Sequence, residues 1–243
     1  MNIAMYGYGK MGKAIEEAAV ARGHAVVLRV DRGNAGTPPT GADVAIEFST
    51  PATVMENIKL CLAHGAPVVV GTTGWHDRME EVKDLVGTSS GALLWASNFS
   101  IGVNLFFKVN NLLARLMEGR PGYAARIDEI HHAHKLDAPS GTAISLARGI
   151  QENNKRYTGW TLINPESSLP GQMIPIHSQR TGEVPGTHTV RWESTQDLIS
   201  LTHEAYGRQG FATGAVVAAE WLRHRKGLFT MADVLEPGPT AQP

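Results

Sequence analysis

The chain opens with an apolar run, a glycine-rich turn and a helical segment, and this order limits the fold more than any other feature of the sequence. Asn2–Tyr6 predicts a short buried strand, and Lys10–Arg22 carries its apolar residues at helical spacing. Between them, Gly7, Gly9 and Gly12 fit the pattern G-x-G-x-x-G. Such a pattern, placed after a strand and at the start of a helix, is typical of dinucleotide-binding folds.

Each of the three glycines has a separate physical role in such a turn. Gly7 permits the tight bend, Gly9 lets the backbone approach a pyrophosphate, and Gly12 lets the helix pack closely on the strand. The unpaired N–H groups at the start of the helix offer positive charge to the phosphates. Lys10 adds a charge beside them or is an ordinary surface lysine. A plain strand-to-helix turn that binds nothing is the alternative.

As far as about Ser100, strand-like apolar runs alternate with helical segments, which predicts βαβ units and a parallel sheet. The further strands are predicted at Ala25–Val30, Val44–Phe48, Pro67–Val70 and Ala92–Ala96, and the further helices at Thr53–His64 and Trp75–Val86.

Beyond Ser100 the pattern changes. A long helix is predicted over Ile101–Met117, a strand over Ala125–His131, and a helix from its N-cap Ser140 to Gln151. Three strand-like runs follow with no helix between them, which predicts an antiparallel or mixed sheet: Met173–Gln179, His188–Glu193 and Leu198–His203. The first and the third alternate apolar and polar residues, so we expect each to bury one face.

Phe211–Arg225 returns to helical spacing, and we expect this helix to pack against the first domain. The predicted fold class is therefore α/β. It combines a Rossmann-type dinucleotide-binding domain over residues 1–100 and 208–243 with an inserted α+β mixed-sheet domain over residues 101–207. Pro237–Pro243 predicts a disordered tail.

The composition excludes several classes of protein. With 22 Lys and Arg against 23 Asp and Glu, the formal net charge is −1, so the chain lacks the broad basic surface of a nucleic-acid-binding protein. The single cysteine, Cys61, excludes an intramolecular disulfide and a multi-cysteine metal site. No apolar run approaches the ~18 residues of a membrane span, and no secretory signal is visible. We expect a soluble, cytoplasmic protein with neither nucleic-acid nor membrane partners.

The end of the second predicted strand bears on the choice of cofactor. Asp31 lies 19 residues after Gly12, and a carboxylate there accepts hydrogen bonds from the ribose 2′-hydroxyl of NAD. Arg32 suits the 2′-phosphate of NADP instead, so the pair indicates tolerance of both NADH and NADPH. A solvated acid–base pair in a loop is the alternative.

Two more loops follow the fourth and fifth predicted strands. Gly71–Gly74 and Ser97–Ser100 come at the carboxyl ends of parallel strands, where open α/β sheets bind their ligands. Their small residues and hydroxyls suit a nicotinamide pocket, in which Asn98 could hydrogen-bond the carboxamide. Ordinary strand-to-helix turns would occupy the same positions.

The densest chemistry of the chain lies in Glu129–Ala143. His131, His132 and His134 fall within four residues, and Lys135 follows them. Zinc binding is one interpretation, but the chain has no HExxH motif and no second cluster at ligand spacing, so we expect no metal. A solvated polar strand end is another. Acid–base chemistry is better supported, because histidine titrates near neutrality and a lysine offers a cation or a proton donor.

The helix that follows this cluster adds an anion pocket. The N–H groups of Gly141 and Thr142, with the Thr142 hydroxyl, suit a carboxylate. A cation, imidazoles and a helix N-terminus within one loop would together hold a small polycarboxylate, and beside a nicotinamide they predict reduction of a small anionic substrate. We expect Asp137 to orient Lys135 rather than to take part in the chemistry.

With these two clusters, the chain resembles the 4-hydroxy-tetrahydrodipicolinate reductases, also called dihydrodipicolinate reductases, of diaminopimelate and lysine biosynthesis. Residues 129–143 match the family pattern E-x-H-H-x-x-K-x-D-x-P-S-G-T-A, and GYGKMG, GTTG, SNFSIGVN, RTGEVPGTHT and HEAYGRQGFA match further segments in order. The resemblance implies a dinucleotide-binding domain and a mixed-sheet domain that binds a small dicarboxylate substrate and forms a homotetramer. It also implies hydride transfer from NADPH or NADH to ring C4 of a cyclic imine dicarboxylate, followed by protonation to tetrahydrodipicolinate.

The resemblance implies a role for each matching position. His131 is the expected catalytic histidine and Lys135 the expected proton donor. The substrate carboxylates are expected to contact His132, Lys135, Gly141 and Thr142. The expected cofactor-binding residues are Gly7, Tyr8, Gly9, Lys10, Met11, Gly12, Asp31, Arg32, Gly71, Thr72, Thr73, Ala96, Ser97, Asn98, Phe99, Arg208 and Phe211.

Some positions depart from the family pattern. Lys10 stands where many members have Arg, Asp31 stands where they have Glu, and the connection over residues 30–43 is short. These departures concern the choice of cofactor rather than the reaction. Two other functions remain open. Another small Rossmann reductase or amino-acid dehydrogenase would share the glycine turn without the histidine–lysine segment, and a non-catalytic NAD(P)H sensor would need no proton donor.

Overall fold

The computed structural model describes residues 1–164 and 171–236, which divide into two units. The first unit comprises Met1–Asn104 and the chain from Arg208 onward, and the second comprises Leu105–Gly207. The predicted tail Pro237–Pro243 lies outside the described residues. That the first unit binds the cofactor and the second the substrate stays a prediction.

Eleven strands occur in these described ranges. In chain order they are β1 (Asn2–Tyr6), β2 (Ala25–Val30), β3 (Val44–Glu47), β4 (Val68–Val70), β5 (Ala92–Trp95), β6 (Ala124–His131), β7 (Gly159–Ile163), β8 (Met173–Arg180), β9 (Thr187–Glu193), β10 (Leu198–Glu204) and β11 (Gly227–Thr230). The α-helices are α1 (Lys10–Ala21), α2 (Val54–Ala63), α3 (Met79–Ser89), α4 (Ile101–Leu116), α5 (Gly141–Asn153), α6 (Gln209–Leu222) and α7 (Met231–Val234), and a 3-10 turn spans His76–Arg78.

The first unit is built on a six-stranded sheet in the order β11-β5-β4-β3-β1-β2, in which every neighbouring pair is parallel. Its inner strands β1, β3, β4 and β5 are short and almost wholly buried, as expected for a parallel sheet covered on both faces. The expected return of the last long helix is also seen, because α6 packs against α1 and contributes Ala215, Val216 and Leu222 to the same core as Ile3 and Ile15.

Five neighbouring strands of this sheet, from β5 across to β2, end level with one another. Tyr6 pairs with both Val30 and Glu47, Glu47 pairs with Val70, and Val70 pairs with Trp95. The residue that follows each strand therefore lies at one common edge, where ligands of open α/β sheets bind. Those residues are Asp31, Gly7, Phe48, Gly71 and Ala96.

The second unit contains a five-stranded sheet in the order β10-β9-β6-β8-β7. β8 runs parallel to both β6 and β7, whereas β9 runs antiparallel to β6 and β10, so the sheet is mixed, one of the two predicted arrangements. Alternate residues of β6 point into the core beside α5: Ala125, Ile127, Glu129 and His131. This alternation carries two polar side chains into an otherwise apolar interior.

Several predictions of local structure were wrong or incomplete. The segment predicted as one helix over 75–86 is a 3-10 turn followed by α3. The strands β7 and β11 and the short helix α7 were missed, because each is a brief, half-buried run without strong periodicity. The expectation that Leu198–His203 buries one face is met only in part within the single chain, because Leu201 packs against the core of the second unit. β10 is an edge strand whose Leu198 and Ile199 are 45% and 38% exposed.

Among the helices of the described residues, none combines the length and the apolar character that crossing a membrane requires.

Candidate active site

The glycine turn after β1 has the geometry that its three roles require. Gly7 has a φ of +91°, and a side-chain carbon there would overlap the carbonyl oxygen of Phe48. A side-chain carbon at Gly12 would overlap the carbonyl oxygen of Gly7, so the helix can sit this close to the turn only with glycine. At Gly9, in contrast, no described atom lies within 4 Å of such a carbon. The turn is thus tightly packed at two glycines and open at the third.

The start of α1 fits a phosphate group. Its N-cap is Gly9, no side chain of the described residues caps it, and its first turn carries no acidic residue. The first N–H groups of the helix are therefore left for a ligand, and the end of the helix dipole favours an anion. Lys10 is exposed beside them. Tyr8 is held by a hydrogen bond from its hydroxyl to Glu16, and Met11 packs on the core of the first unit.

The loop after β2 fixes the backbone around Asp31. Its Oδ1 accepts a hydrogen bond from the Gly33 N–H at 2.8 Å, and its own N–H donates to Oδ1 of Asn34 at 2.8 Å. Both Asp31 and Arg32 are exposed at the carboxyl edge of the sheet. The acid and the base therefore lie where a ribose and its 2′-substituent would be recognised.

The loop after β4 is braced from within the first unit. Thr72 accepts a hydrogen bond from the Ser49 N–H on Oγ1, and its carbonyl accepts one from the Trp75 indole, each at 2.8 Å. Thr73 is exposed. A side-chain carbon at Gly71 would overlap the ring of Phe48, which therefore covers this glycine. Sequence reasoning missed Phe48, although its place directly after a parallel strand was the signal that could have found it.

The loop after β5 presents a mixture of exposed and buried groups. Ser97 is exposed and Ala96 is half-buried. Oδ1 of Asn98 accepts a hydrogen bond from the Ser100 N–H at 2.9 Å, so the Asn98 side chain helps to fix the conformation of this loop. Phe99 is only 2% exposed, and its ring lies 5.5 Å from that of Phe48. Its side chain belongs to the core, which leaves its backbone for any contact with a ligand.

The last two predicted cofactor residues lie at the start of α6. Arg208 is the N-cap and is exposed, and Phe211 is half-buried in the first turn. A side-chain carbon at Gly214 would overlap the carbonyl oxygen of Phe99, so α6 packs directly against the loop after β5. The structure therefore brings all of the predicted cofactor residues onto the first unit, along the carboxyl edge of its sheet or at α6.

The predicted catalytic residues lie on the second unit, at and beyond the end of β6. His131 ends the strand and is 7% exposed, and His132 is half-buried just after it. Nζ of Lys135 lies 2.8 Å from Oδ1 of Asp137, which agrees with the expectation that Asp137 orients the lysine.

The start of α5 follows in the same segment. The predicted N-cap is confirmed, because Oγ of Ser140 accepts the Ala143 N–H at 3.2 Å. Gly141 is exposed, with no described atom within 4 Å of a side-chain carbon built on it, and Thr142 is half-buried. The first turn of α5 therefore offers open N–H groups to an anion, on the same segment as His131 and Lys135.

Sequence reasoning gave Glu129 no role and missed the groups that surround it. Glu129 is wholly buried, and its Oε1 accepts hydrogen bonds from the Ser140 N–H at 3.0 Å and from Nη2 of Arg180 at 3.0 Å. Its Oε2 lies 3.2 Å from Nδ1 of His131 and 3.6 Å from Nε2 of His188. The alternation of β6, which puts Glu129 and His131 on one face, was the signal for the first contact. The pairing of β6 with β8 and β9, which brings Arg180 and His188 to Glu129, could not be deduced from the sequence.

The side chains of Glu129, His131 and His188 place potential ligand atoms within 4.8 Å of one another. Distance alone would allow a metal ion here. However, the guanidinium of Arg180 already neutralises the carboxylate, and a second cation beside it would be repelled. We therefore interpret the three side chains as an acid–base cluster.

Comparisons with known proteins match both units. A family model described as dihydrodipicolinate reductase, N-terminus, matches residues 1–99, and one described as dihydrodipicolinate reductase, C-terminus, matches residues 102–235. A 4-hydroxy-tetrahydrodipicolinate reductase from Christiangramia forsetii is 48% identical over 237 residues, which cover 97% of this chain and 98% of the relative. One from Chromobacterium violaceum is 35% identical over 266 residues, with 96% and 98% covered.

A solved structure gives the same result. Dihydrodipicolinate reductase from Paenisporosarcina sp. TG-14, solved with dipicolinate bound, has a TM-score of 0.78 to this chain at 26% identity, covering 95% of this chain and 97% of that one. The expected α/β class, with a Rossmann-type unit and a mixed-sheet unit, is confirmed. The resemblance carried by the glycine turn and the histidine–lysine segment is confirmed too: the chain belongs to the dihydrodipicolinate reductase family.

Proposed function

We propose that this chain reduces 4-hydroxy-tetrahydrodipicolinate to tetrahydrodipicolinate with a reduced nicotinamide dinucleotide, in the biosynthesis of diaminopimelate and lysine. Two family models spanning nearly the whole chain support the reductase activity, as do the curated relatives of that name. The observation that carries the proposal is the segment 129–143, which holds an imidazole, an ammonium group and an open helix N-terminus on one unit.

The first unit fits the cofactor. The open face at Gly9 and the uncapped start of α1 would receive the pyrophosphate, and Asp31 and Arg32 would contact the adenosine ribose. When bound, the reduced nicotinamide supplies the hydride that is added to ring C4 of the substrate. We propose that both NADH and NADPH serve, because the acid and the base are both exposed at the end of β2.

The second unit fits the dicarboxylate. The N–H groups of Gly141 and Thr142 would bind one carboxylate through the start of α5. His132 and Lys135 would add donors and positive charge beside it. The neighbour from Paenisporosarcina sp. TG-14 was solved with dipicolinate, a pyridine dicarboxylate, and this supports a substrate of that class.

The remaining step is delivery of a proton. The substrate loses its 4-hydroxyl group as water, which leaves an unsaturated cyclic imine. Conjugate addition of hydride at C4 of that imine gives an enamine, which must be protonated on carbon to give the product. We propose that Lys135, whose Nζ lies 2.8 Å from Oδ1 of Asp137, donates that proton and that His131, beside Glu129, supplies or stabilises it. We also propose that the chain acts as a cytoplasmic homotetramer, on the strength of its family.

The decisive experiment mixes the protein with the product of dihydrodipicolinate synthase and either NADPH or NADH. The absorbance of the reduced cofactor should fall only when that substrate is present. If neither cofactor is oxidised, the reductase activity is ruled out. Binding of a cofactor without turnover would instead support a non-catalytic NAD(P)H sensor.

A further inference from the structure

A buried carboxylate, Glu129, lies between the catalytic histidine and the start of α5, and the reaction described above assigns it no role. It is 0% exposed and faces the interior of the second unit from β6. Oε1 accepts three hydrogen bonds: from the Ser140 N–H at 3.0 Å, from Oγ of Ser178 at 2.7 Å and from Nη2 of Arg180 at 3.0 Å. The N-cap of α5 and the strand β8 are thus tied to one oxygen.

The carboxylate of Glu129 is charged. Burial raises its pKa, but the neighbouring imidazoles of His131 and His188 and the hydrogen bonds donated by Ser140 and Ser178 outweigh burial and hold the pKa far below its ordinary range. A buried ion pair is seldom the most stable way to fill a protein interior, since apolar side chains of similar volume often serve as well or better. A full negative charge in this position therefore points to a task beyond stability.

The second oxygen of Glu129 faces the catalytic histidine. Oε2 lies 3.2 Å from Nδ1 of His131, off the line of a straight hydrogen bond, and within the described residues neither atom has a hydrogen-bond partner. In free enzymes such contacts are often poorly aligned and tighten when substrate binds. An anion beside Nδ1 favours the tautomer that carries its proton there, as the buried aspartate does in serine proteases.

A glycine packs against the other nitrogen of the ring. A side-chain carbon at Gly186 would lie 2.9 Å from Nε2 of His131, so any other residue would press against that nitrogen. Gly186 also has a φ of +154°, which strains residues with side chains. With Nδ1 turned toward Glu129, Nε2 is the nitrogen available to substrate.

The same carboxylate reaches the catalytic lysine through Arg180. The guanidinium that binds Glu129 also donates a hydrogen bond to the carbonyl oxygen of Asp137. The side chain of Asp137 in turn holds Nζ of Lys135 at 2.8 Å. One buried anion is therefore connected to both expected proton donors.

We propose that Glu129 is a positioning residue of this enzyme: it holds His131 with the proton on Nδ1 and Nε2 toward substrate, and through Arg180 it fixes the loop that carries Lys135. This inference rests on the proposed function, because His131 and Lys135 are proton donors only in that reaction. Its geometric part can nevertheless be tested without turnover.

The first test uses the unaltered protein. Side-chain ¹⁵N resonances of labelled histidine report the tautomer, and those of His131 are identified by their loss in His131→Gln. We expect neutral His131 to carry its proton on Nδ1. A proton found on Nε2 in the neutral ring would overturn the proposal, whatever the activity of the preparation.

The second test is kinetic. Glu129→Gln keeps the size of the side chain and removes its charge, so kcat should fall by about 10²-fold while KM for the cofactor stays within about twofold. The solvent deuterium isotope effect on kcat should rise, because proton delivery becomes slower. Glu129→Asp keeps the charge and should recover part of the lost rate. A kcat of Glu129→Gln close to that of the unaltered enzyme would refute the proposal.

The matched control is Asp128→Asn. Asp128 precedes Glu129 on β6 but points to the opposite face, where it contacts Nδ1 of His177 at 3.6 Å and Nε of Arg191 at 3.1 Å. Its loss should leave kcat unchanged, and an equal fall in both variants would show that only the strand was disturbed. If Glu129→Gln does not fold, the tautomer of His131 in the unaltered protein decides whether the proposal stands. An inactive enzyme with the Nδ1–H tautomer would contradict the proposed function and not the positioning geometry.

Discussion

Nε2 of His188 lies 3.0 Å from Oγ of Ser140, so a histidine on β9 supports the residue that begins α5. Burial lowers the pKa of His188 because it disfavours the charged ring, and His131 nearby adds to this, although Glu129 opposes it. Just below the ordinary pKa of histidine, His188 therefore binds a proton in the unfolded chain but stays neutral in the folded chain. Stability contributed by a neutral His188 should be present above that value and lost as the pH falls through it.

We expect the free energy of unfolding to decline between about pH 7 and pH 5, and His188→Gln to make the decline shallower. Urea unfolding at a series of pH values measures both slopes. The low pKa of Glu129 also makes the folded chain less stable as the pH falls, but this loss begins only at lower pH, below the ordinary glutamate range. Identical slopes for the two proteins over this interval would show that His188 is not the group responsible.

Gly9 and Gly12 should respond differently to alanine, although both belong to one glycine motif. At Gly12 the new methyl group would overlap the carbonyl oxygen of Gly7, so Gly12→Ala should lose roughly 1–3 kcal/mol of stability as well as cofactor binding. At Gly9 the space is open. Gly9→Ala should therefore keep its melting temperature and lose affinity for NADPH, because the methyl group occupies the expected place of the pyrophosphate.

Thermal unfolding and cofactor titration of the two variants separate these effects. A normal affinity for NADPH in Gly9→Ala would remove this turn from the cofactor site. An unchanged melting temperature in Gly12→Ala would show that the turn can relax more than its geometry indicates.

Arg32 bears on the choice between the two cofactors. Its guanidinium is exposed at the end of β2, next to a carboxylate fixed by the Gly33 N–H. Arg32→Ala should weaken NADPH more than NADH, by about tenfold or more, since a charged hydrogen bond to a phosphate contributes roughly 1.5–3 kcal/mol. Fluorescence titration with each cofactor measures the ratio. Equal losses for both would refute a contact with the 2′-phosphate.

Much of the first unit could be predicted because its signals are local. The strand, glycine turn and helix over residues 2–21 follow from periodicity and from backbone constraints at Gly7 and Gly12. The predicted N-cap at Ser140 is equally local and was correct. In each case the residues that form the feature are neighbours in sequence.

The groups that surround the segment 129–143 could not be predicted in this way. Arg180 and His188 contact Glu129 only because β8 and β9 flank β6. The order of strands in a sheet cannot be deduced from the sequence of any single strand. Phe48 covers Gly71 for a similar reason, through the register of β3 and β4. The residues proposed to carry the chemistry are close together in the sequence, whereas the residues that contact them became known only from the fold.

The strongest test of the site compares two histidines three residues apart. His131 is 7% exposed and contacts Glu129, whereas the side chain of His134 is 79% exposed and lies 3.6 Å from the equally exposed Glu183. His131→Gln should lower kcat by about 10²-fold or more, because acid–base help is lost, and leave cofactor affinity unchanged. His134→Gln should leave both quantities unchanged. Steady-state kinetics and cofactor titration measure them, and unaltered turnover in His131→Gln would remove this residue from the mechanism.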